Sequence, residues 1–321
     1  MALSVLSKLL SGPAAPVFIC GTPRSGSTLI HRLLIESSKD LYGITHYEWR
    51  YPSICLQFIL ALTGIKSLRT SRSYWSGTAV SETASKMHPN CLGDYEEDAI
   101  LFEERCGHHP YEYLHFPYDS LNSKFSLEPQ RGGWNSYPIR RRIMRFFKMY
   151  CRSLSLLKHP ARRFVSKEVA SNERLGLLSE HFPGAYFIVI TRHPGDYMSS
   201  LLPLLQVSTQ AKTDSKAHLD DPAWWPSWYF WLSEQARNVS FFYQEMRPAG
   251  NVIHVRFEDL VDNPRACIDR VLDFIGATPR SDYESFMSRF ESGQASRARG
   301  YCYDPIKLDH NDFSEFIETF Y

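Results

Sequence analysis

The sequence predicts an α/β fold in which a parallel sheet is covered by helices on both faces. Short apolar runs with the composition of buried strands lie at residues 16–20, 163–166, 186–191 and 252–256. Helix-like stretches lie between and after them, at 27–37, 172–182, 223–246 and 264–275. Alternation of strands and helices is typical of parallel sheets. In such folds a ligand lies beyond the carboxyl ends of the strands.

The 321 residues are interpreted as one domain, 1–321. Residues 66–160 are rich in Tyr, Pro, Gly and charge, and they are expected to be an insertion of helices and loops over the sheet edge. Residues 277–321 follow the last predicted helix and are expected to form a C-terminal loop or tail.

Composition narrows the possible partners and compartment. Lys and Arg number 36 against 35 Asp and Glu, so no net charge attracts nucleic acid. The seven scattered cysteines form no C-x-x-C pair, which favours reduced thiols without zinc. The longest apolar run, roughly 54–65, is too short to span a membrane. The sequence predicts a cytoplasmic protein with no membrane span and leaves the oligomeric state open, a homodimer being one option.

The first strand runs into the turn GTPRSGSTL at residues 21–29. Gly21 and Gly26 bracket four residues, and Thr28 stands where a Walker A motif has Ser or Thr. Position 27 is Ser where that motif requires Lys, and Arg24 is the only cation inside the turn. A helix beginning near Ser27 would direct its free N–H groups at an anion. The turn therefore indicates a phosphate site that is not built like an ATPase loop.

A second candidate site follows the strand at 186–191. Arg192 comes directly after this strand, and Ser200 lies two helical turns further on. Both side chains could reach a phosphate at the strand end. Taken alone, an Arg in this position is also typical of a surface ion-pair partner.

Together the two sites resemble those of sulfotransferases that use 3′-phosphoadenosine 5′-phosphosulfate (PAPS). GTPRSGSTL resembles the 5′-phosphosulfate loop in its Arg-containing form, found in tyrosylprotein and bacterial-type sulfotransferases. The spacing from Arg192 to Ser200 is that of the family's 3′-phosphate site. VRFEDLVDNPRACIDRVLDFIG resembles the strand and helix with a Y-E-D-L core that follow in these enzymes. DYEEDAILFEE, at 94–104, is similar to the acidic segment of the bacterial-type group. The resemblance runs from residue 16 to about 276 and implies the P-loop-like sulfotransferase fold.

The resemblance implies roles for individual residues. The 5′-phosphosulfate would be bound by Arg24, Ser25, Gly26, Ser27 and Thr28, and the 3′-phosphate by Arg192 and Ser200. Lys167 matches the lysine beside the transferring sulfate, although Val169 replaces the usual Pro. Phe257 stands where relatives often have Tyr, and Arg297 and Arg299 correspond to a late basic loop over the cofactor. The insertion at 66–160 would shape the acceptor pocket.

Sulfuryl transfer needs a group that accepts the proton of the acceptor hydroxyl. Tyrosylprotein and bacterial-type relatives use a Glu shortly after the first helix, and Glu48 in THYEWRYPS stands at the corresponding place. Its aromatic neighbours would raise its pKa by desolvation. His46 is the alternative base. The alternative without a catalytic role is that Glu48 is a surface carboxylate paired with Arg50.

The sequence therefore predicts a metal-independent, PAPS-dependent sulfotransferase. Its aromatic segments favour a small lipophilic or aromatic alcohol or phenol as the acceptor. Within the same fold, a tyrosylprotein or carbohydrate sulfotransferase is an alternative. A nucleotide or small-molecule kinase is less favoured because the Walker lysine and a clear Walker B carboxylate are missing. A nucleotide-binding scaffold with an inactive site is the non-enzymatic alternative.

Overall fold

The computed structural model describes residues 15–63, 82, 83, 85, 91–98, 101, 137–157, 162–169, 172–213, 217–297, 306, 308 and 310–321. Five strands form one sheet: β1 (Val17–Gly21), β2 (Leu41–Tyr42), β3 (Arg163–Lys167), β4 (Tyr186–Thr191) and β5 (Val252–Arg256). Their order is β2-β3-β1-β4-β5, and every neighbouring pair is parallel. All four strands that the apolar runs predict are present.

Helices connect and cover the strands. They are α1 (Ser27–Ser37), α2 (His46–Arg50), α3 (Ile54–Leu62), α4 (Tyr137–Leu157), α5 (Leu175–His181), α6 (Pro194–Thr213), α7 (Trp224–Met246), α8 (Phe257–Asp262), α9 (Pro264–Ile275), α10 (Tyr283–Arg297) and α11 (His310–Phe320). Helices α1 and α9 have their predicted bounds. The predicted helix at 172–182 is divided into a 3₁₀ turn, Asn172–Arg174, and α5.

The sheet separates two apolar layers, because successive strand residues point to opposite faces. Phe18 belongs to the layer formed with α4, α7 and α11, whereas Ile19 belongs to the layer formed with α1 and α9. Both residues are buried. The prediction of a parallel sheet with helices on both faces is confirmed.

Residues 277–321 differ from the predicted loop or tail, because they contain α10 and α11. Phe313, Phe316 and Phe320 recur at helical spacing and are buried in the same apolar layer as α7. This burial stabilises α11 in a region where the sequence predicts a loop or tail. In the described part of the chain, no helix has the length and apolar character needed to cross a membrane.

Candidate active site

The turn between β1 and α1 begins with a glycine that no other residue can replace without strain. Gly21 has φ 139°, and the N–H of Thr22 donates to the Ile190 carbonyl at 3.2 Å. A Cβ atom at position 21 would lie 1.8 Å from that same carbonyl oxygen. The turn can therefore pass close to the end of β4 only because residue 21 has no side chain.

We expect Gly21→Ala to lower the free energy of unfolding by more than about 2 kcal/mol, through a backbone clash added to strain in φ. Urea denaturation measures this change. Gly250→Ala is the matched control, because Gly250 also has positive φ (72°) but nothing lies within 4 Å of its added Cβ. It should cost only about 1 kcal/mol. Equal costs for the two variants would contradict the close approach to β4.

Arg24 lies at the tip of the turn in a conformation that is unusual for its residue type. Its φ is 60°, and among the described residues it is the one non-glycine residue with positive φ. The Arg24 Nε donates to Ser200 Oγ at 3.1 Å. Such strain is typical of functional turns, because the surrounding structure must hold it. The turn thus brings its only cation to Ser200.

Arg192 and Phe257 complete the same side of the turn. The guanidinium of Arg192 lies over the Phe257 ring, 4.6 Å from its centroid, and Arg192 Nη1 is 3.5 Å from the Arg24 carbonyl oxygen. A Cβ on Gly26 would lie 2.9 Å from the Phe257 ring. The structure therefore brings Arg24, Arg192, Ser200 and Phe257 together around the start of α1.

Lys167 approaches the turn from the end of β3, which pairs with β1. Its side chain is only 1% exposed. The Nζ atom donates to Thr28 Oγ1 at 2.9 Å and lies 3.0 Å from an oxygen of Glu96 and 3.0 Å from an oxygen of Glu97. The sequence-predicted lysine thus contacts the turn directly, through the hydroxyl of Thr28.

The two carboxylates keep Lys167 charged despite its burial. Burial by itself lowers the pKa of Lys167, but Glu96 and Glu97 outweigh that effect and leave the pKa above its ordinary value. The charge of Lys167 also acts on His31. The pKa of His31 falls to about 3, first because of burial and next because of Lys167. The site therefore presents an ammonium, not a neutral amine.

A second buried ion pair anchors the segment that carries these carboxylates. Asp98 lies 2.6 Å from the Arg174 guanidinium and also accepts a hydrogen bond from Ser166 Oγ. The N–H of Asp98 donates to the Lys167 carbonyl at 3.2 Å. Burial raises the pKa of Asp98, and Arg174 opposes that shift. Residues 91–98 are thus fastened to the end of β3.

Glu48 lies on α2, and its carboxylate takes part in a capping box. Glu48 Oε2 accepts from the backbone N–H of Thr45 at 3.1 Å and from Thr45 Oγ1 at 3.1 Å, while Thr45 Oγ1 accepts from the N–H of Glu48. Glu48 is buried. The carboxylate that the resemblance implies as a base therefore also caps its own helix.

Helix α2 docks on the acidic segment that reaches Lys167. The N–H of His46 donates to the Asp94 carbonyl at 2.9 Å, and Trp49 Nε1 donates to the Glu96 carbonyl at 3.0 Å. The ring of His46 is buried. Glu48, His46 and Lys167 are consequently tied to one another through residues 91–98.

Sequence reasoning missed three residues that build this site. Glu96 and Glu97 belong to the acidic segment at 94–104, whose resemblance to the family implies no role for either residue, and Asn172 donates to the Gly21 carbonyl at 2.8 Å. Local sequence does not link these residues to their partners, because Glu96 is 71 residues from Lys167 and Asn172 is 151 from Gly21. Arg297 ends α10, and its side chain lies outside the described residues, as does Arg299.

The arrangement can bind an extended polyanion. Three cations, Arg24, Arg192 and Lys167, surround the first turn of α1, whose N-cap Gly26 offers no side chain to its N–H groups. Within the described ranges no three His, Cys, Asp or Glu side chains are placed to hold a metal ion. The fold and site define an α/β protein with a turn suited to an anion at the carboxyl edge of its sheet.

Comparison with known proteins identifies the family. The profile of the Sulfotransferase family matches residues 16–282, and the chain belongs to that family. Sulfotransferase STF9 from Mycobacterium avium has the same fold, with TM-score 0.61 and 15% identity over 99% of this chain and 80% of that chain. Sulfotransferase STF1 from Mycobacterium tuberculosis H37Rv gives 0.53 and 16% over 98% and 80%. No curated protein sequence matches the chain significantly.

Proposed function

We propose that this sulfotransferase takes the sulfuryl group from PAPS and transfers it to a hydroxyl of a small lipophilic or aromatic alcohol or phenol. The observation that carries the proposal is the convergence of Arg24, Arg192, Ser200 and Lys167 on one turn. These residues come from three strand ends and a helix. PAPS carries a phosphosulfate and a separate phosphate, which suits cations on both sides of the turn.

In the proposed binding mode one side of the turn binds the phosphosulfate of PAPS and the other side binds its 3′-phosphate. Lys167 and Thr28 face the phosphosulfate together with Arg24, Ser25, Gly26 and Ser27. Arg192, stacked on Phe257, and Ser200 face the 3′-phosphate. Two guanidiniums with fixed forks suit phosphate and sulfonate oxygens. The contact between Arg24 Nε and Ser200 Oγ links the two halves.

The proposed chemistry is an in-line displacement at sulfur. Glu48 takes the proton of the acceptor hydroxyl, whose oxygen forms a bond to sulfur as the bond from sulfur to the bridging oxygen breaks. Lys167 and Arg24 stabilise charge on the sulfonate and on the departing phosphate. The product is 3′-phosphoadenosine 5′-phosphate (PAP). The place of Glu48 on α2 supports this role, because Trp49 of the same helix donates to the Glu96 carbonyl in the segment that reaches Lys167.

An exposed apolar surface on α3, the helix that follows the one carrying Glu48, supports a lipophilic acceptor. Three residues separate α3 from α2, and α3 exposes Phe58, Ile59 and Leu62, whose exposed fractions are 65%, 55% and 73%. Exposed apolar groups of this size commonly mark binding surfaces. An acceptor screen with labelled PAPS identifies the substrate, and we expect phenols and lipophilic alcohols to exceed sugars.

PAP should stabilise the protein against thermal unfolding, by about 2.7 kcal/mol at a hundredfold excess over Kd, whereas ATP–Mg should not. Arg192→Ala should weaken PAP binding about 10- to 100-fold, because it removes a charged hydrogen-bond donor. Arg237→Ala is the matched control, since Arg237 pairs with Glu234 on the surface at 51% exposure. A protein stabilised by ATP–Mg alone would contradict the proposed donor.

A further inference from the structure

The ammonium of Lys167 has no donor left for a ligand. An ammonium has three N–H donors. Thr28 Oγ1, Glu96 Oε1 and Glu97 Oε1 lie 2.9, 3.0 and 3.0 Å from Nζ. A sulfonate oxygen can therefore bind Lys167 only after one of these three acceptors has moved away.

The three acceptors are not held equally. Thr28 is fixed in the first turn of α1. Glu96 Oε1 also accepts the backbone N–H of Glu97 at 3.0 Å, and the Glu96 side chain is 9% exposed. The Glu97 side chain is 21% exposed, so it is the carboxylate with more access to solvent. It can leave Nζ at the lowest cost in desolvation.

The charge balance favours the same choice. Two carboxylates face one ammonium, and burial raises the pKa of Glu97, with Lys167 opposing that shift and Glu96 adding to it. One carboxylate is enough to neutralise Lys167. An incoming anion and Glu97 would compete for the same donor, because like charges in a buried site repel.

We propose that Glu97 is an exchangeable counter-ion of Lys167, which the sulfonate of the donor replaces while Glu96 and Thr28 stay bound. This inference rests on the proposed function. Glu97 is a positioning residue: it holds the ammonium beside the turn before the donor arrives and gives up its place when the donor binds. No covalent bond is made or broken in the exchange; one ion pair of Lys167 replaces another.

The test is isothermal titration calorimetry of the full chain with PAPS, in the absence of acceptor. Glu97→Gln should tighten PAPS binding about five- to tenfold, because the competing charge is gone. The KM for PAPS should fall in parallel, with kcat within about threefold of wild type. Glu97→Ala supplies a second neutral side chain with the same expected result. PAP, which lacks the sulfonate, should show a smaller gain.

The matched control is Asp94→Asn, which removes a carboxylate from the same segment. Asp94 pairs with Arg32 at 3.4 Å rather than with Lys167. The Kd of the Asp94→Asn variant for PAPS should therefore stay within about twofold of wild type. Weaker or unchanged PAPS binding in both folded Glu97 variants overturns the inference and leaves the proposed function standing. If the wild-type protein does not bind PAPS, the proposed function fails, and the inference fails with it.

Discussion

Lys167→Met should abolish measurable sulfuryl transfer and also destabilise the protein. The variant removes the cation beside the turn, and we expect kcat to fall by more than about 100-fold. It also leaves Glu96 and Glu97 facing each other without a counter-ion in a buried site. Breaking a buried ion pair on one side costs about 3–5 kcal/mol. Steady-state kinetics and urea denaturation measure the two effects.

The two effects of Lys167→Met can be separated. Adding Glu96→Gln and Glu97→Gln to it removes the stranded charges, so the triple variant should recover most of the lost stability. Its activity should stay at the level of the single variant, because no cation has been restored. If the triple variant regains turnover, Lys167 acts only through the stability of the fold. If Lys167→Met is as stable as wild type, the ion-pair cluster does not exist in solution.

Strands β1 and β4 could be predicted because each is a nearly continuous apolar run that is buried on both faces of the sheet. All five residues of β1 are buried, and so are the last five of the six residues of β4. β2 could not be predicted because it has only two residues, Leu41 and Tyr42, and no pattern can be recognised over that length. Its position at the edge of the sheet is set by pairing with β3, 122 positions away in sequence at Arg163.

The candidate site divides in the same way. The turn at 21–29 could be predicted because its glycines, hydroxyls and Arg24 are adjacent in sequence. The partners of Lys167 could not, because they reach it only after residues 91–98 are folded against α2 and β3. An acidic run such as Glu96, Glu97 and Asp98 usually indicates a solvated surface. Here burial against one lysine and one arginine gives it a different role.

Glu48→Gln should lower kcat about 10²- to 10⁴-fold while the protein keeps most of its stability. Glutamine at this position can still accept the N–H of Thr45, so the capping box of α2 survives. Only the ability to accept a proton is lost. Glu48→Ala removes both functions and should lower stability by about 1 kcal/mol in addition. Turnover with the identified acceptor, at saturating PAPS, measures the effect.

The control for the capping role is Thr45→Ala, which removes the hydroxyl that bonds Glu48 but leaves its carboxylate. It should cost about 1 kcal/mol of stability and leave kcat within about threefold of wild type. His46→Gln tests the alternative base, and its kcat should fall far less than that of Glu48→Gln. If Thr45→Ala reduces turnover as much as Glu48→Gln does, Glu48 acts by shaping α2. If Glu48→Gln keeps wild-type turnover, the proton goes elsewhere, and a large loss in His46→Gln would identify His46 as the base.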